Sequence, residues 1–210
     1  MKNATQAWQQ RFAALPLVAI LRGLTPDNAA ATADVLVDEG FGIIEVPLNS
    51  PDPFDSIAII SQHLPGVLVG AGTVLTPDDV DNTVTAGGRL IVAPNIAADV
   101  AGAASQHDVA YVPGVATPSE AFNALALGAD ALKLFPAELI TPTVVKAMRA
   151  VLPANVKLLP VGGITPDNLG AYRSAGANGF GLGSALFNTG KSLDEIRQSA
   201  KAFVKAVETT

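Results

Sequence analysis

The sequence predicts an α/β chain folded as a single (β/α)8 TIM barrel, with an N-terminal helix covering the bottom of the barrel. Three observations lead there. Eight short β-branched runs alternate with alanine-rich helical stretches, five Thr-Pro pairs punctuate the chain, and glycines close the helices. The 210 residues suit one domain spanning 1–210, and 49% hydrophobic against 15% charged residues supply a large core.

Taken in order, Lys2–Ala14 reads as the covering helix, with Trp8 and Phe12 as its apolar anchors. Strands are expected at Leu17–Leu21, Gly42–Val46, Val67–Ala71, Leu90–Ala93, Ala110–Val112, Ala131–Phe135, Lys157–Val161 and Gly179–Leu182. Helices are expected between them, among them Pro26–Glu39, Pro77–Ala86, Pro118–Leu127 and Pro166–Ala175. Thr25, Thr76, Thr117, Thr141 and Thr165 each precede a proline. A threonine hydroxyl there accepts from a free helical N–H, and proline at the first helical position has no N–H to leave orphaned. Gly40, Gly87, Gly128 and Gly176 follow the helices, where a left-handed residue ends the turn.

Several classes fall away. No apolar run approaches the roughly 20 residues that span a bilayer. Met1–Arg11 is polar and lacks the pattern of a secretory signal, and cysteine is absent, which removes disulfides and thiolate metal sites. A cytoplasmic enzyme is the expectation. The net charge of −6 argues against a nucleic-acid surface, so an anionic ligand must be held by local donors.

The chemistry-bearing residues sit at the ends of the expected strands. Lys133 alternates with Ala131 and Phe135 on one face, expected to be the barrel interior. Poor hydration there disfavours the ammonium and favours the neutral amine, the form that condenses with a ketone. The competing reading is a lysine snorkelling at a strand end. Glu45 occupies the apolar run Ile43–Pro47, where a carboxylate is suited to shuttling protons; an ion pair with Arg22 or Lys133 is its plainer role. Arg22 offers a fork of donors for a carboxylate, and Thr73, after Gly70-Ala71-Gly72, offers a hydroxyl. Gly162-Gly163 follows the seventh strand, and Gly183-Ser184 follows the eighth. Barrels bind phosphate at these two loops through backbone N–H groups. The two histidines, His63 and His107, fall toward helix ends on the wrong side for catalysis, so no metal site is expected.

Motifs of a known family run through nearly the whole chain. Ile20-Leu21-Arg22-Gly23, Glu45-Val46-Pro47-Leu48-Asn49-Ser50-Pro51, Gly70-Ala71-Gly72-Thr73-Val74, Pro113–Pro118, Leu132–Glu138, Val161–Ile164 and Gly183-Ser184 resemble the class I 2-keto-3-deoxy-6-phosphogluconate/-galactonate aldolases. The resemblance implies Lys133 as the Schiff-base residue and Glu45 as the proton shuttle. It implies substrate contacts at Arg22, Thr73, Val161, Gly162, Gly163, Gly183 and Ser184, with Pro94 and Phe135 lining the pyruvate end. It further implies a homotrimer, no cofactor, and a phosphorylated keto-deoxy sugar acid as the small-molecule partner. Asn49 and Val161 stand where the phosphogluconate branch carries arginine and threonine, and so look like the phosphogalactonate branch. The gluconate epimer as substrate, a barrel isomerase or epimerase using Glu45 as base, and a sugar-phosphate sensor without turnover are the alternatives.

Overall fold

Parallel strands flanked by helices are buried on both faces, and that double burial organises the molecule. The computed structural model describes residues 3–209. In chain order it contains α1 (Asn3–Ala14), β1 (Leu17–Ile20), α2 (Pro26–Asp38), β2 (Ile43–Pro47), α3 (Pro53–His63) and β3 (Leu68–Gly72). Then come α4 (Pro77–Thr85), β4 (Leu90–Val92), α5 (Ala98–Gln106), β5 (Ala110–Val112), β6 (Gly114–Val115) and α6 (Pro118–Ala126). The chain finishes with β7 (Leu132–Leu134), α7 (Pro142–Val151), β8 (Leu158–Pro160), α8 (Leu169–Ser174), β9 (Phe180–Leu182) and α9 (Leu193–Glu208). Lys2, expected to open the first helix, lies outside the described residues.

The strands form a curled six-stranded parallel sheet, ordered β5-β4-β3-β2-β1-β9, and a three-stranded parallel sheet, β6-β7-β8. An isolated parallel bridge between Val161 and Gly181 links the second sheet to β9. The fifth expected strand is found as β5 with the expected bounds, and an unexpected short strand, β6, follows it across Pro113. Proline at 113 has no N–H for the ladder, so β5 pairs with β4 while β6 pairs with β7.

Strand alternation separates the apolar residues into two clusters. Val18, Ile43, Val92, Ala131 and Leu159 gather on the inner face with Trp8 and Phe12 of α1. Their neighbours Leu17, Ile44, Ile91, Leu132 and Leu158 pack outward against the helices. The Trp8 and Phe12 rings stack with centroids 5.2 Å apart.

Helix ends follow the sequence in part. Thr76 and Thr117 form capping boxes with Asp79 and Glu120. Thr25 and Thr141 stand at the N-caps without a side-chain cap bond, and the Thr25 hydroxyl instead accepts from the Asn28 amide at 3.1 Å. Thr165 does not begin a helix. Asn168 accepts from the Thr165 N–H at 3.0 Å and donates to the Gly163 carbonyl at 2.8 Å, holding a turn, so α8 starts three residues later than expected. The helix-closing glycines 40, 87, 128 and 176 all take positive φ. No helix among the described residues is long and apolar enough to cross a membrane.

Candidate active site

Two charged side chains face inward. Glu45 in β2 is 2% exposed and Lys133 in β7 is 5% exposed, and each replaces an apolar residue at an inward position of its strand. With Val18, Val92, Val112 and Leu159, they enclose a chamber of about 10 Å3, closed on one side by Trp8. That space holds about one water at most, so neither group is well solvated from within. Burial pushes the Glu45 carboxyl above its ordinary value, and the positive charges of Lys133 and Arg22 pull it back only in part. The Lys133 ammonium position lies 5.1 Å from the centre of the Phe135 ring, close enough for a cation–π attraction.

Gly72 makes room for the carboxylate. A Cβ at this position would lie 1.8 Å from Glu45 Oε1, so any side chain there would displace the acid. Gly70 serves the same strand differently: its missing Cβ would meet the Leu90 carbonyl oxygen at 1.9 Å.

A second, wider cavity of about 380 Å3 opens beyond the ends of β8 and β9. Arg22, Phe135, Val161, Gly162, Gly163 and Ser184 line it, together with Gly183, Thr165 and Glu138. Val161 borders both spaces and therefore stands between the inner chamber and the outer cavity. Gly162 and Gly163 both have positive φ, at 110° and 61°, a backbone conformation that favours glycine. The turn after Gly183 is closed by hydrogen bonds from the Leu186 and Phe187 N–H groups to the Gly183 carbonyl. Lys191 donates to the Ala185 and Leu186 carbonyls and fixes the far side of that turn.

The structure thus gathers Arg22, Phe135, Val161, Gly162, Gly163, Gly183 and Ser184 around one cavity, with Glu45 and Lys133 behind it. Thr73 and Pro94 line neither space. They follow β3 and β4 at the same ends of the strands, and Thr73 holds a left-handed φ of 58°, uncommon for a β-branched residue. His63 and His107 pair with Asp34 and Asp81 at 2.9 and 2.7 Å on the helices, away from the cavity. Sequence reading assigned no role to Glu138, the acidic residue that follows Lys133 on its loop, and did not place Trp8 against the chamber.

Comparison with known proteins bears on this arrangement. The model of the family "Aldolase: KDPG and KHG aldolase" matches residues 9–199. A 2-dehydro-3-deoxy-6-phosphogalactonate aldolase of Escherichia coli (strain K12) is 47% identical over 200 residues, covering 95% of this chain and 96% of the relative. A solved structure described as native KDPGal superposes with a TM-score of 0.91 at 46% identity, covering 93% of this chain and 95% of the other. A KDPG aldolase from Legionella pneumophila, solved with pyruvate captured at low pH as a covalent carbinolamine intermediate, superposes with a TM-score of 0.83 at 28% identity. That match covers 92% of this chain and 96% of the other.

Proposed function

The chain belongs to the KDPG and KHG aldolase family, and from that premise we propose that it cleaves 2-dehydro-3-deoxy-6-phospho-D-galactonate to pyruvate and D-glyceraldehyde 3-phosphate through a Schiff base on Lys133. The observation that carries this reading is the inward, poorly solvated pair Glu45 and Lys133 beneath a cavity with two glycine loops.

The neutral Lys133 amine attacks the C2 ketone, water leaves, and the resulting iminium becomes the electron sink. Glu45 takes the proton of the C4 hydroxyl, directly or through a water, and the C3–C4 bond breaks to release the phosphorylated aldehyde. The enamine is then protonated at C3, and hydrolysis frees pyruvate and the lysine. Arg22 and Thr73 hold the carboxylate end; Gly162, Gly163, Gly183 and Ser184 hold the phosphate. Anchoring both ends limits the orientational freedom that the reaction must otherwise lose. Because the iminium itself withdraws the electrons, the cleavage needs no Lewis acid, and chelator should leave turnover unchanged.

The two sheets act in this reading as one closed (β/α)8 barrel across the whole chain. Residues 110–115 form one stave interrupted at Pro113, and the Val161–Gly181 bridge joins the last two staves. The helix α1 covers the lower end, since a Cβ on Gly179, just before β9, would meet the Phe12 ring at 2.5 Å. The assembly is a homotrimer.

Val161 supports the galactonate epimer. A methyl-bearing wall between chamber and cavity offers no hydrogen bond to the substrate hydroxyl that a threonine there would orient. Two measurements test the proposal. Borohydride added with pyruvate should attach a reduced adduct to Lys133, and Lys133→Met should abolish it. Pyruvate release should be faster from the galactonate epimer than from the gluconate epimer; the reverse preference would reject the branch assignment. An isomerase with the same residues forms no adduct at all.

A further inference from the structure

Glu138 sits in the turn between β7 and α7, and its carboxylate reaches across to the loop that follows β8. Its Oε2 lies 2.4 Å from where a Cβ on Gly162 would stand, and its Oε1 lies 3.3 Å from that position on Gly163. It is the one carboxylate lining the outer cavity, and it forms no hydrogen bond or ion pair with any described residue. A carboxylate without a partner is out of place in a cavity to which the aldolase reading assigns a phosphate, unless the ligand brings a donor to it.

The donor inventory narrows the choice. A carboxylate only accepts hydrogen bonds. The carboxylate and phosphate ends of the substrate are acceptors as well, so neither can pair with Glu138. That leaves the hydroxyls between them. The C4 hydroxyl belongs to Glu45, which acts in the inner chamber beside Lys133. Val161 borders both spaces, and Gly162 and Gly163, which follow it, line the outer cavity alone, so the Glu138 carboxylate beside them lies in the outer cavity next to the wall shared with the chamber. The C5 hydroxyl occupies the matching place along the substrate.

We propose that Glu138 accepts a hydrogen bond from the C5 hydroxyl, which becomes the hydroxyl adjoining the aldehyde in the released three-carbon product, and so selects hydroxylated aldehydes. The inference rests on the aldolase reading above. Selection has two parts: the hydroxylated ligand gains a charge-assisted bond, while a ligand lacking that hydroxyl brings its phosphate beside an unanswered negative charge.

The test runs the reaction in the direction of synthesis, joining pyruvate to D-glyceraldehyde 3-phosphate or to 3-phosphooxypropanal, which is the same chain without the hydroxyl. The ratio of kcat/KM for the two aldehydes is compared across the parent, Glu138→Gln and Glu138→Ala, so that their intrinsic difference in reactivity cancels. Removing the carboxylate should shrink the ratio by about tenfold, chiefly through loss on the hydroxylated aldehyde. Glu138→Gln keeps an acceptor oxygen without the charge and should fall between. An unchanged ratio in both variants, or equal losses on both aldehydes, overturns the assignment. Borohydride trapping with pyruvate alone involves neither hydroxyl nor phosphate. Equal labelling of Lys133 in parent and variants shows that the variants are folded and the Schiff-base chemistry intact. Absence of labelling in the parent defeats the aldolase reading instead.

Discussion

A buried carboxyl whose proton is held more tightly in the folded chain than in the unfolded one takes stability away as pH rises. Glu45 is such a group, since burial raises it above the ordinary value of 4.5. The folded state binds the proton more strongly, so stability is lost between the ordinary value and the raised one, and no further above it. Glu45→Gln removes this dependence. Its melting temperature, measured against the parent, should gain steadily as pH increases through that interval and then level off. A difference that stays flat from pH 4 to 8 would show that the folded chain does not hold the proton. The same substitution removes the base, and kcat should fall by about a hundredfold or more. In the parent, the acid limb of the kcat/KM profile, which reports the free enzyme, should lie above the usual carboxylate range, because the ionised form does the work.

At the scale of elements, the close approach of β2 and β3 fixes where that carboxylate sits. Gly72→Ala would place a methyl 1.8 Å from Glu45 Oε1, and the chamber that carboxylate lines has only about 10 Å3 into which to move. We expect a loss of about 1–3 kcal/mol from overpacking, read by denaturant unfolding, together with at least a tenfold drop in kcat. Parental turnover in this variant would mean that the acid tolerates displacement. Trp8 of α1 closes the chamber and is 2% exposed, so Trp8→Ala should cost about 3–5 kcal/mol in the same unfolding measurement. Much of this architecture was legible in the sequence. Each expected strand end lies within one residue of the observed one, and the capping threonines 76 and 117 mark their helix starts. The start of α8 was not legible: the Asn168 side chain accepts from the Thr165 N–H and also donates back to the Gly163 carbonyl, a bond the acids of the two capping boxes have no donor to make, and the segment forms a turn. The inward placement of Lys133 followed from alternation with Ala131, a local property. The meeting of Glu138 with Gly162 did not, since it joins two loops whose closeness depends on neighbouring strands rather than on sequence spacing.

The whole molecule has a surface that bears on the proposed trimer. Its accessible area is 8898 Å2, close to the ~9,100 Å2 that a folded monomer of this mass exposes by the usual scaling. No arm or extended segment among the described residues inflates that area, and Trp8 and Phe12 complete the inner cluster from within the same chain. Each chain therefore buries its own core, and association adds to a fold already closed. Light scattering at micromolar concentration should give three times the chain mass. On dilution until the mass falls to one chain, the separated protomer should remain folded. Trp8 is the only tryptophan and is buried, so its emission reports directly on the inner cluster even at nanomolar concentration. Unchanged emission across the dissociation is the expected result. A red shift that tracks the loss of mass would show instead that the fold depends on its partners, and that burial of Trp8 within one chain does not suffice to hold it.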